Sequence, residues 1–80
     1  MNLIWVTAAK YIGEYRLQLT FNDGAVKIFD GKEIVMTHPL FKPLQSLAVY
    51  KEFVLDGWTV SWSNGPIDLA PEYLYEHSVA

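Results

Sequence analysis

Hydrophobic and polar residues alternate strictly over YRLQLTF: Tyr15, Leu17, Leu19 and Phe21 point one way, Arg16, Gln18 and Thr20 the other. A period of two is the mark of a half-buried β-strand. The glycines then indicate where strands reverse. Four of the five follow Asp or Asn, as Asp23-Gly24, Asp30-Gly31, Asp56-Gly57 and Asn64-Gly65. Such pairs accept the positive φ angles of tight hairpins. A two-residue turn at Asp23-Gly24 sets Phe21 opposite Val26 and Leu19 opposite Ile28. A turn at Gly13-Glu14 sets Val6 opposite Phe21 and Ala8 opposite Leu19. Three antiparallel strands are predicted, roughly Leu3–Ile12, Tyr15–Phe21 and Ala25–Asp30. Their core face holds Ile4, Val6, Ala8, Leu17, Leu19, Phe21, Val26 and Ile28.

Beyond Asp30 the alternation stops. Pro39 and Pro43 stand too close for an α-helix between them, so DGKEIVMTHPLFKPL reads as a loop with at most one short turn. Leu44, Leu47, Ala48 and Tyr50 or Lys51 follow at helical spacing, predicting a short helix from about Leu44 to Lys51 with Ser46 as a local cap. A second meander closes the pattern. A turn at Asp56-Gly57 sets Leu55 opposite Trp58 and Phe53 opposite Val60; one at Asn64-Gly65 sets Trp62 opposite Ile67 and Val60 opposite Leu69. Phe53, Leu55, Trp58, Val60, Trp62, Ile67 and Leu69 then share a core face, with Thr59, Ser61 and Asp68 on the reverse. Pro71 suits a first helical turn and Glu72 its positive end, predicting a final helix from Pro71 to Ser78. The expected fold is a single α+β domain over residues 1–80. It has two antiparallel β-meanders of about six short strands, with a short helix between them and a short C-terminal helix.

The predicted register leaves an unusual second face on the first sheet. Trp5, Tyr11, Arg16, Gln18 and Phe29 fall on it, mixing aromatics with polar groups where a solvated face would be polar. Aromatics and Arg are enriched at protein interfaces. Two coverings of that face stay open, a partner or the C-terminal half of the chain itself.

Composition sharpens this. The 80 residues are 51% hydrophobic, with three Trp, five Tyr and four Phe. A domain this small buries only about 60–65% of its unfolded surface, so some rings are expected outside, where they mark contacts. There is no Cys, which removes disulfides and thiol chemistry and favours the cytoplasm. No apolar run approaches the ~20 residues of a membrane span, and the N-terminus lacks the basic start of a signal peptide. The net charge is −3 with its six basic residues scattered singly, the opposite of a nucleic-acid stripe.

Catalytic constellations are weak. His38 and His77 are the only histidines and read as ordinary surface residues. Ser61 or Ser63 with His77 and Asp68 lacks the glycines of a nucleophile elbow. Glu72 and Glu76 read as a solvated helix face, and no Gly-rich loop leads into a helix to hold phosphate. No cofactor or metal is expected.

The runs YIGEYRLQLTFNDGAVKIFD and HPLFKPLQSLAVYKEFVLDGWTVSWSNGPIDLAPEYLYE resemble a bacterial group of small proteins, domain-of-unknown-function family 2442. The matching features are Leu19, Phe21, Asp23-Gly24, Asp30, Phe41, Pro43-Leu44, the stretch around Phe53, Trp62, Asn64-Gly65, Asp68 and Leu74. The resemblance implies a compact α+β domain with no established activity and a setting among paired small genes, hence an antitoxin-like role. Some members carry a helix-turn-helix segment after this domain; this sequence ends at Ala80 without one, so DNA binding is not carried over. Ala70 departs from the capping Ser or Asp of relatives, a role left to Asp68.

The expected function is therefore a non-catalytic protein-interaction module, a homodimer or the partner of a small cognate protein, with Trp5, Tyr11, Arg16, Gln18 and Phe29 as its contacts. The alternative is a small-molecule-binding or enzymatic domain with a pocket between the meanders, lined by Trp58, Trp62 and Tyr73.

Overall fold

The first reversal of the chain falls one residue later than its glycine suggests. A computed structural model, describing residues 3–62 and 67–79, pairs β1 (Val6–Gly13) with β2 (Arg16–Phe21) through Glu14 and Tyr15. Both central residues have positive φ, 53° and 63°, as a type I′ turn requires. An L-residue held there costs about 1–2 kcal/mol, and Glu14 has only an exposed contact to Arg16 at 3.8 Å to offset it. Replacing Glu14 by Asn, which tolerates this conformation, is expected to raise stability by about 0.5–1 kcal/mol. Urea unfolding of the two proteins measures the difference.

The second turn is longer than two residues. Phe21 N–H donates to Ala25 O and Gly24 N–H to Phe21 O, closing a loop of Asn22, Asp23 and Gly24 with Gly24 at φ 88°. Asn22 is held there by the segment before β1, exchanging bonds with Trp5 and donating to Leu3 O. One added loop residue shifts β3 (Val26–Asp30) by one position, so Leu17 faces Phe29 and Leu19 faces Lys27. Such a slip exchanges the faces of a strand. Phe29 is therefore buried while Val26 is 48% exposed, reversing the expected Phe21–Val26 and Leu19–Ile28 pairs. An irregularity after Val6 moves β1 likewise. Val6 still faces Phe21, but Ala9, not Ala8, faces Leu19, and Tyr11 faces Leu17.

The second sheet, in order β4 (Val54–Leu55), β5 (Val60–Trp62) and β6 (Ile67–Asp68), shows the same effect. Asp56 Oδ1 accepts from Trp58 N–H and Thr59 N–H, both at 2.9 Å, and makes a four-residue loop. Leu55 accordingly faces Val60 and Val54 faces Ser61, in place of the expected Leu55–Trp58 and Phe53–Val60 pairs. Trp58 sits in the turn. Trp62 faces Ile67 as expected; the turn at Asn64-Gly65 lies outside the described residues. Thr59 and Ser61, assigned to the reverse face, are buried too, because both faces of β5 are covered.

Between the sheets the chain is more helical than its prolines suggest. Lys32–Thr37 forms α1, started by Asp30, whose Oδ1 accepts from Lys32 N–H at 3.0 Å. Pro39–Gln45 forms a 3₁₀ segment with Pro43 inside it, followed by α2, Leu47–Tyr50. Pro39 at the first position loses no bond, and short 3₁₀ turns lack the i−4 geometry that proline blocks. Ser46 makes no side-chain cap to α2. The last helix, α3, spans Pro71–His77, with Ala70 at its start and no side-chain cap from Asp68 or any other residue. The result is an α+β fold of two three-stranded antiparallel sheets around one core, in which Leu17, Leu19, Phe21, Leu44, Tyr50, Trp62 and Leu74 are buried. Among the described residues no helix is long and apolar enough to cross a membrane.

Two hairpin carboxylates are expected to make this fold acid-sensitive. The Ala25 N–H and then the Tyr75 hydroxyl hold Asp23 below the usual carboxylate range; the Thr59 and Trp58 N–H groups do the same for Asp56. Each folded value lies below the unfolded one, so each contribution is complete above about pH 4 and is lost as pH falls through the lowered folded value. Chemical unfolding at pH 7 and pH 2.5 is expected to show a lower midpoint in acid. Asp56→Asn should flatten that difference.

Candidate functional site

The corrected register redistributes the residues singled out for contact. Tyr11 and Phe29 turn inward, Tyr11 edge-on to Tyr50 at 6.2 Å and Phe29 edge-on to Tyr73 at 6.2 Å. Arg16 and Gln18 stay on the outer face, which they share with Lys10, Thr20 and Asp30. Val26 and Ile28, opposite Thr20 and Gln18, add apolar side chains to that face. Trp5 lies before β1 and stacks on Trp58 with ring centres 5.7 Å apart and planes 16° apart. The five do not share one face.

Trp58, Trp62 and Tyr73 are likewise kept apart. Trp62 is buried, stacked on Tyr50 at 5.5 Å, and its Nε1–H donates to Tyr50 O at 2.8 Å. Trp58 is 41% exposed beside Trp5. Of the three, only Tyr73 lines the large groove.

Two surfaces emerge instead. One is the stacked Trp5–Trp58 pair. The main chain locks it in place, since Val6 N–H donates to Trp58 O at 2.9 Å and Trp5 N–H to Asn22 Oδ1 at 2.8 Å. The adjoining edge strand β4 lies against β1 and exposes both its side chains, Val54 at 51% and Leu55 at 39%. A strand with apolar residues exposed on both faces is a template for association.

The other surface is a groove of ≈ 710 Å³ between α1 with the 3₁₀ segment on one side and the end of β3, β6 and α3 on the other. Phe29, Phe41, Leu69 and Tyr73 supply aromatic and aliphatic walls; Asp30, Glu33 and Asp68 supply carboxylates. Both histidines line it. His77 stacks on Tyr73 at 4.0 Å, and its Nδ1 lies 2.9 Å from Tyr73 O. A carbonyl only accepts, so Nδ1 carries the proton and Nε2 of the neutral ring is an acceptor. His38 is the converse. Its Nδ1 accepts from Leu40 N–H at 3.3 Å, capping the 3₁₀ segment and leaving Nε2 as the donor. Among the described residues no set of three His or carboxylate groups converges in metal-binding geometry.

Residues 6–80 match the family described as Protein of unknown function (DUF2442). The chain belongs to this family. No curated protein and no solved structure matches it. In this DUF2442 domain the groove is not legible in the hydrophobic pattern, which predicts a loop where α1 and the 3₁₀ segment stand. The available signal was Asp30 followed by Gly31, Lys32 and Glu33, an Asx-type start with an acid in the first turn.

Proposed function

We propose that this domain is a non-catalytic protein-interaction module whose contact surface is the stacked Trp5–Trp58 pair with the exposed edge strand β4. The observation that carries the reading is that pair: two stacked tryptophan rings, Trp5 half-buried and Trp58 exposed, on main chain tied by hydrogen bonds beside exposed Val54 and Leu55. Pre-ordered aromatic anchors lose little entropy on binding and dominate interface energetics. The partner is a second copy or a small cognate protein, and an antitoxin-like place in a bacterial paired-gene system follows by analogy with the family resemblance. The lack of Cys and the scattered basic residues fit a cytoplasmic protein that does not engage nucleic acid. The burial of Ser61 and the main-chain partner of His77 Nδ1 favour binding over acyl-transfer chemistry.

Trp58→Ser and Trp5→Ala are expected to weaken self-association or capture of the cognate protein by about 30-fold or more, equivalent to roughly 2 kcal/mol at a hot spot. Light scattering and pull-down from the native host measure this, with circular dichroism confirming the fold. Unchanged mass and unchanged capture in both folded variants would reject the surface.

A further inference from the structure

The groove lined by α1, the 3₁₀ segment and α3 shares no residue with the tryptophan pair. Its ≈ 710 Å³ lies within the range of small-molecule sites, ~300–1,000 Å³. Its chemistry is lopsided. Five rings bound it: Phe29, Phe41, Tyr73, His38 and His77. Three ring contacts join them: Phe29 is edge-on to Tyr73, Tyr73 is stacked on His77, and Phe41 is tilted against His38 at 5.3 Å. Around the rings stand Asp30, Glu33 and Asp68, while none of the chain's six Lys and Arg residues lines the groove. Among the described residues the one ion pair is Arg16–Glu14, so no Lys or Arg pairs with these three carboxylates.

We propose that this groove binds a small organic ammonium ion with an apolar body. Ring faces attract a cation through their negative quadrupole; Phe29 and Phe41 are buried, so the ring placed to act in this way is half-buried Tyr73, beside the exposed His38 and His77. The carboxylates, exposed at the rim, add a Coulombic field of the same preference that salt screens. The apolar floor of Phe29, Phe41 and Leu69 takes the carbon body. An anion would meet three carboxylates with no compensating cation, and a neutral ligand would leave that field unused. His77 Nε2, as an acceptor, is suited to one ammonium N–H.

The probe is 2-phenylethylammonium, titrated into the ¹⁵N-labelled full chain, with 2-phenylethanol and 3-phenylpropionate as neutral and anionic matches. Saturable shifts at Glu33, Asp68 and Tyr73 are expected in the millimolar range typical of a fragment of this size. The alcohol should bind about tenfold more weakly and the carboxylate not measurably. Glu33→Gln and Asp68→Asn, both exposed positions, should each weaken the ammonium roughly three- to tenfold at an unchanged melting temperature, and added salt should weaken it further. Equal binding of alcohol and ammonium, shifts confined to other residues, no saturable shift, or full affinity in the neutralised variants would each overturn the proposal. None of these outcomes bears on the tryptophan surface.

Discussion

Trp62→Ala is expected to lower the unfolding free energy by about 3–5 kcal/mol, the range for truncating a buried tryptophan. The side chain is 1% exposed, stacks on Tyr50, and donates its Nε1–H to Tyr50 O at 2.8 Å. Truncation opens a cavity on the second sheet and leaves a buried carbonyl without its donor. Both losses fall at the one ring that ties β5 to the end of α2. An 80-residue domain holds only about 4–12 kcal/mol in total, so this variant should show a measurable unfolded fraction at 37 °C. Trp62→Phe retains most of the apolar area and should lose less than half as much. Urea unfolding followed by circular dichroism tests both. A loss under about 1 kcal/mol for the alanine variant would mean that the ring does not sit where the core needs it.

Gly31→Ala is expected to destabilise the domain by about 1–3 kcal/mol through overpacking alone. Gly31 has φ −89° and ψ 2°, which an alanine also adopts, so backbone strain does not enter. The obstacle is contact: an added Cβ would meet the Tyr50 hydroxyl and lie 3.2 Å from Phe29 Cε2. The Tyr50 hydroxyl cannot simply retreat, because it donates to Tyr15 O at 2.8 Å, the carbonyl that also accepts from Gly31 N–H. Burial, followed by the nearby charge of Asp30, pushes the Tyr50 phenol well above its ordinary range and keeps it a donor. Tyr50→Phe alone should lose about 1 kcal/mol with that bond. In the double variant the methyl group finds the space the oxygen vacated. The combined loss should therefore fall short of the sum by about 1 kcal/mol, a coupling that a double-mutant cycle resolves. Strict additivity would show that the two groups do not meet.

The site was far less legible than the fold, and for a reason visible at single residues. Phe29 moved from surface to core because its hairpin loop gained a residue, and Tyr11 turned inward to a half-buried place because the first turn moved along the chain and β1 shifts register on both sides of it. Trp58 left the core face because Asp56 built a four-residue turn with its side chain. His38 and His77 stand 39 positions apart in the chain and came to one groove only when α3 folded back beside the 3₁₀ segment. Trp5, the one contact candidate that joins an exposed apolar surface, did so through a stacking partner on the other sheet.

Local physics in the sequence by itself determined the class of this protein. Alternation marked the strands, Asp23-Gly24 and Asp56-Gly57 marked two of the hairpins while Asp30-Gly31 opens α1, and Pro71 with Glu72 marked the last helix, because each depends on residues within a few positions of one another. Registers, and hence the faces and the groove, were decided by the tertiary structure. They turn on which loop length lets Asn22 reach Trp5 and Leu3, and on which face buries Phe29 against Tyr73. Those are contacts across 17 to 44 positions of chain, and no local pattern encodes them.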